Sequence, residues 1–180
     1  QKDDETIAAG TNDSEVIIAT KETNVTTGAG DDTIYTSSAD DVITVDGSGD
    51  KTIVIDTNTG VDTIVMANSE AKVYLNTVNI PSYSSGNRYY KSKDADNNDL
   101  IIEAYYNSNS NEITKRMIIK DYFVLSDEVK ANIFVRNYNN YGNYASLATI
   151  VRNLNISGDE GEENTNGFFS FTGKSYNKDT

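Results

Sequence analysis

Along the first 77 residues apolar side chains return at a nearly fixed interval. Rungs fall at Ile7, Ile17, Val25, Ile34, Ile43, Ile53, Ile64 and Val73, separated by 10, 8, 9, 9, 10, 11 and 9 residues. Two positions after each rung stands Ala9, Ala19, Thr27, Thr36, Val45, Ile55, Met66 or Leu75. The period inside each unit is therefore two, that of a strand. Strands of about three residues are too short to stand alone and must stack on neighbours. A unit made of one short strand and one tight turn predicts a parallel solenoid, in which successive units alternate between two faces and two units complete a coil. Gly28, Gly30, Gly47, Gly49 and Gly60 fall in the turns, where positive φ and close backbone approach are needed.

The rhythm stops near Val78, and a different β pattern follows. Asp99-LIIEAYY and Ile113-TKRMIIKDYF flank the polar segment NSNSN and predict a hairpin. The single proline, Pro81, lies at the changeover. From Ser126 the pattern weakens: SDEVKANIFV opens as a short helix capped by Ser126 or Asp127, NYNNYGNY is rich in Tyr and Asn, and SGDEGEENTNG is an acidic loop. The closing KDT resembles the DET before Ile7, which suggests a piece of a larger repetitive protein. The expected fold is all-β: a parallel β-roll or β-solenoid over 1–77, a β-hairpin or sandwich-like capping segment over 78–125, and a Tyr/Asn-rich, β-rich or irregular segment over 126–180.

Composition narrows the chemistry. The 180 residues carry 28 acids against 15 bases, a net charge of −13, which disfavours nucleic acid and anionic membranes as partners and favours cations. With no cysteine and no histidine, disulfides, thiolate metal sites, Ser-His-Asp and Cys-His catalysis are all excluded. Any bound metal must be hard and held by oxygen, calcium before magnesium.

The acids are placed by the repeat. Two residues before the rungs stand Glu5, Glu15, Thr23, Asp32, Asp41, Lys51, Asp62 and Ala71. If units alternate sides, one column stacks Glu15, Asp32 and Lys51 and the other stacks Glu5, Thr23, Asp41 and Asp62. Like charges one strand spacing apart (about 4.8 Å) repel unless a cation lies between them. Turn carbonyls beside the glycines are suited to completing an oxygen cage for it.

At TGAGDDTIY, Thr27–Tyr35, the sequence resembles the RTX nonapeptide G-G-x-G-x-D-x-U-x at every defining position except the first, where Thr27 replaces glycine. NDLIIEAYYNSNSNEITKRMIIKDYF is similar to the β segment that follows such blocks in haemolysin-like proteins. The resemblance covers roughly Glu5 to Phe123. It implies a calcium-binding β-roll in a protein exported by type I secretion, unfolded in the low-calcium cytosol and folded outside. It implies cation ligands in the turn formed by Thr27, Gly28, Ala29, Gly30 and Asp32, with Glu15, Asp41, Gly60 and Asp62 as stacked partners. The second copy, SSADD, lacks glycine, and DGSGDK places Lys51 where the family has aspartate. An ammonium there would occupy or repel the cation position. The gaps between Asp41 and Asp62 and between Glu15 and Asp32 are then the better candidates, with zero to two calcium ions expected.

Other constellations are weaker. Asp94-Ala-Asp96-Asn-Asn98 hints at an EF-hand loop, but Asp99 stands where glycine is required and Tyr105 where glutamate is, so a polar turn before the Leu100 strand is the better reading. Asp159–Glu163 reads as a solvated loop. Tyr138, Tyr141, Tyr144, Phe168, Phe169 and Phe171 suit either β packing or a recognition surface. The expected function is a calcium-responsive structural module of a large secreted or cell-surface bacterial protein (toxin, adhesin or S-layer type), not an enzyme. Its partner is the rest of the parent polypeptide, and any membrane contact comes through other parts of that parent. The alternatives are an adhesion module recognising a host glycan or protein through its C-terminal part, and a metal-independent, self-associating surface repeat.

Overall fold

The computed structural model describes residues 6–55, 60–77, 86–92, 97–105, 113–136, 144–154, 156 and 168–170. Eight short strands build the repeat: β1 (Thr6–Ala9), β2 (Val16–Ile18), β3 (Thr23–Thr26), β4 (Asp32–Tyr35), β5 (Val42–Val45), β6 (Gly49–Ile55), β7 (Val61–Met66) and β8 (Ala71–Thr77). Odd strands pair in parallel in one sheet and even strands in parallel in the other. The result is a β-solenoid of about three turns. β9 (Gly86–Lys91), β10 (Leu100–Tyr105), β11 (Ile113–Ile119), a 3₁₀ turn (Tyr122–Val124), α1 (Asp127–Ala131), β12 (Ile133–Arg136), β13 (Tyr144–Ser146), α2 (Leu147–Asn153) and β14 (Phe168–Ser170) follow.

These later strands extend the two solenoid sheets. β11 joins parallel to β7 and β12 parallel to β8, after which both sheets become antiparallel. The first sheet reads β1-β3-β5-β7-β11-β10-β9-β14 and the second β13-β12-β8-β6-β4-β2. The hairpin predicted around Leu100 and Ile113 is the β10–β11 pair; its NSNSN connection lies outside the described residues. Ser126 caps α1, its hydroxyl accepting the Val129 amide at 3.3 Å. The helix opens SDEVKANIFV as expected and ends at Ala131, because IFVR is strand β12; LATIVRN forms α2.

The core lies between the sheets as two columns. One runs Ala8, Val25, Ile43, Ile64, Ile119 and the other Ile17, Ile34, Ile53, Leu75, Val135. Val25, Ile34, Ile43, Ile53, Ile64 and Leu75 are fully buried, each worth about 1.5–3 kcal/mol of transfer free energy. Two rungs are corrected at the ends of the repeat. Ile7 pairs with Asn24 and is 75% exposed, so Ala8 is the first rung. Ile53 pairs with Leu75 and not with Val73, so Ala71 falls beside Gly49. Thr6, not Glu5, therefore stands above Thr23.

Candidate metal centres in the turn stacks

The turns stack as closely as the strands. A Cβ built on Gly28 would lie 2.0 Å from the Thr11 carbonyl oxygen, and one on Gly47 would lie 2.0 Å from that of Gly28. Gly28 and Gly30 also have φ of 71° and 94°, in the region glycine alone adopts readily. The turn before β2 thus carries the turn before β4, which carries the turn before β6. On the opposite side a Cβ on Gly60 would lie 2.4 Å from the Ala39 carbonyl oxygen, so the glycine-free SSADD turn is matched by a glycine in its neighbour.

The paired aspartates divide their work between the coils on either side. Asp31 and Asp32 share one turn: Asp31 Oδ1 accepts the Asp50 amide of the following coil at 2.9 Å, and Asp32 Oδ1 accepts the Glu15 amide of the preceding coil at 3.0 Å. Asp40 and Asp41 repeat the arrangement, with Asp40 Oδ1 taking the Val61 amide at 2.7 Å and Asp41 Oδ1 the Thr23 amide at 2.8 Å. Asp62 Oδ1 takes the Asp41 amide at 3.2 Å, and Asp46 Oδ1 takes the Gly28 amide at 2.8 Å. One aspartate of each pair faces solvent and the other is buried. Sequence reasoning attended to the buried member and missed the outer one, although the doubled DD was its signal.

The candidate ligands are not all brought together. Asp32 faces Lys51 in the sheet register, and the ammonium occupies the gap: Nζ donates to Asp32 Oδ2 at 2.6 Å, to the Ser48 carbonyl at 3.0 Å and to the Gly30 carbonyl. Of the two outcomes foreseen for this gap, the lysine fills it. Glu15 stands beside Asp32 across consecutive coils, its amide donating to Asp32 Oδ1 at 3.0 Å. Its carboxylate turns back on its own turn, accepting the Thr11 amide at 2.7 Å and the Thr11 hydroxyl at 2.6 Å, which lowers its pKa. Thr27 is buried and its amide donates to the Thr44 carbonyl at 3.0 Å. It continues the ladder at the rim of the turn, with Ala29 half-buried beside it.

Asp41 stands over Asp62 as the spacing implies, and both are buried. Asp41 Oδ2 also accepts the Ser37 amide of its own turn at 2.6 Å. Among the described residues no three His, Cys, Asp or Glu side chains converge as a metal-ligand group, so an ion here would draw chiefly on turn carbonyls. A carboxylate offers about four lone-pair sites, so the amide bonds leave Asp41 and Asp62 with acceptor capacity.

The remaining candidates are placed as follows. Asp94 and Asp96, the Asp159–Glu163 loop, Tyr138, Tyr141 and Phe171 lie outside the described residues. Asp99 is a structural turn acid: its Oδ1 accepts the amide of Asp121, a left-handed residue at φ 54°, at 2.7 Å. Tyr144 packs edge-on against Tyr74, centroids 5.0 Å apart, and Tyr74 stacks on Phe134 at 5.2 Å. Compared with known proteins, the chain matches no protein-family model and no curated sequence.

Proposed function

We propose that the chain is a structural module of a larger secreted RTX-like protein, a solenoid that spaces or presents other parts of its parent and consolidates on calcium outside the cell. The observation that carries this reading is the stack of buried Asp41 on buried Asp62 across consecutive coils. Two carboxylates at strand spacing in a low-dielectric interior favour a cation between or beside them. Asp41, Asp62 and the carbonyls of the 37–40 and 60–61 turns are the residues that would hold it, and calcium would supply charge neutralisation and a bridge between coils. A single site of this kind lies within the zero to two ions expected from the sequence; in the other column the Lys51 ammonium already serves Asp32. Circular dichroism of the 180-residue chain during a calcium titration tests the reading. Gain of β-structure on millimolar calcium, lost in Asp41→Ala and Asp62→Ala, is the expected outcome. Full β-structure in chelator, unchanged by calcium, would sink it.

A second reading, a self-associating surface repeat, is favoured by the first coil. β1 and β2 are edge strands of their sheets, and Ile7, Val16 and Ile18 on them are 75%, 67% and 66% exposed. Apolar edge strands template further strands. Sedimentation of wild type against Ile7→Lys/Ile18→Lys decides it: a monomer at all concentrations removes this alternative.

A further inference from the structure

Lys51 is enclosed as a core residue. Its backbone pairs with Asp32 on one side and Val73 on the other, and neither its side chain nor that of Asp32 has exposed surface. An ammonium has three protons to donate. Here the three acceptors come from two consecutive coils: Asp32 Oδ2 and the Gly30 carbonyl from one, the Ser48 carbonyl from the next. One carboxylate and two turn carbonyls are a hard-cation donor set, held by backbone that stacked glycines fix in place. The cluster has the composition of an ion cage, and it contains a cation that is part of the chain.

We propose that Gly30, Ser48 and Asp32 form a cation site whose resident ion is the Lys51 ammonium, and that shortening Lys51 converts it into a site for a free hard cation, calcium above magnesium. The tethered charge neutralises Asp32 with no ion to recruit, so this step of the solenoid closes at any calcium concentration. A divalent ion cannot join it, because the ammonium fills the centre and repels a second positive charge. Removal of the side chain beyond Cβ leaves a buried carboxylate without its counter-charge and a channel where the stem ran. Calcium, with its flexible coordination number, suits two carbonyls, a carboxylate and waters in that channel. Magnesium demands near-octahedral geometry and dehydrates reluctantly.

The inference does not rest on calcium binding at Asp41 and Asp62. Its test reads the difference between a variant and wild type, so a calcium-indifferent wild type would end that earlier reading and leave this one standing. Thermal melts and calcium titration calorimetry on the full chain would compare wild type, Lys51→Ala, Lys51→Met and Lys51→Ala/Asp32→Asn in chelator, calcium and magnesium. In chelator Lys51→Ala should melt about 5–15 °C below wild type. Calcium should raise its midpoint by about 5 °C or more beyond any rise in wild type, with one more ion bound, and magnesium should do less. Lys51→Met, whose thioether refills the channel, and the double variant should gain nothing extra. Should Lys51→Ala fail to fold in chelator, folding on calcium supports the proposal and failure in both media overturns it. Equal calcium shifts in wild type and Lys51→Ala, or recovery by the methionine variant, also overturn it. In wild type, nitrogen-detected NMR should show Lys51 ammonium protons exchanging slowly with water; fast exchange would remove the enclosure on which the proposal stands.

Discussion

Replacing Asp41 tests whether the inner acids knit the coils together. Its Oδ1 accepts the Thr23 amide from the preceding coil at 2.8 Å and its Oδ2 the Ser37 amide of its own turn at 2.6 Å, and the residue is 1% exposed. Asp41→Ala strands two buried amide donors. Each unsatisfied buried donor costs about 1–3 kcal/mol, so the expected loss is about 2–6 kcal/mol. Asp41→Asn keeps one acceptor and turns an NH2 toward the other donor, for an expected loss of about half that. Asp31 is the internal control: the bond its carboxylate accepts from the Asp50 amide is exposed, water replaces the carboxylate, and Asp31→Ala should cost under about 1 kcal/mol. A domain of this size holds only about 5–15 kcal/mol, so the ranking is readable by urea denaturation at one calcium concentration shared by all variants. Stacked coils can open piecemeal, so hydrogen exchange should be followed as well. Asp41→Ala should speed exchange at Thr23 and Ser37 far more than at Ile53 or Leu75 in the opposite core column. Equal losses in Asp31→Ala and Asp41→Ala, or unchanged exchange at Thr23, would refute the reasoning.

Further outcomes follow from the same contacts. In a urea-denaturation double-mutant cycle, Asp32→Asn and Lys51→Met should each cost about 3–5 kcal/mol by leaving half a buried ion pair, while the double variant should cost far less than their sum; additivity within about 0.5 kcal/mol would deny that the two side chains are coupled. Gly47→Ala should lower the melting midpoint although Gly47 has no positive φ, because its Cβ would lie 2.0 Å from the Gly28 carbonyl oxygen, and overpacking of this kind costs about 1–3 kcal/mol. In the antiparallel region, Glu103 is buried and its Oε1 accepts the Tyr90 hydroxyl at 2.7 Å and Arg116 Nη2 at 2.7 Å. Glu103→Gln should cost about 1–2 kcal/mol in a urea melt, discounted because Arg116 is 40% exposed. Glu15 titrates below its ordinary value because Thr11 donates two hydrogen bonds to its carboxylate. A depressed folded-state pKa contributes stability that is present above the unfolded value and lost as pH falls through the folded one. Thr11→Ala should therefore raise the Glu15 pKa in a carboxyl-carbon NMR titration and flatten the acid limb of the stability profile.

The sequence by itself determined the repeating part of the molecule. A period near nine with an inner period of two leaves short strands no stable arrangement except stacking, and that placed Ile34 on Ile53 and Asp41 on Asp62. It also marked Lys51 as the residue out of keeping with its column. Four matters were decided only in three dimensions. The end rungs depended on a choice between alternating positions: TIAA offers Ile7 or Ala8, and AKVYL offers Val73 or Leu75. The spacing rule cannot choose there, because an end coil has a repeat neighbour on one side only, and hydrogen-bond register made the choice. The direction of each aspartate was equally hidden, since Asp31 and Asp32 are adjacent and chemically identical, and only the folded turn sets one outward against the following coil and the other inward against the preceding one. The joining of β11 to β7 and β12 to β8 pairs residues more than fifty positions apart, beyond the reach of any local pattern. Whether Lys51 would repel or replace a cation also waited on geometry, because the sign of its effect depends on three oxygen atoms from two coils arriving within hydrogen-bonding distance of one nitrogen.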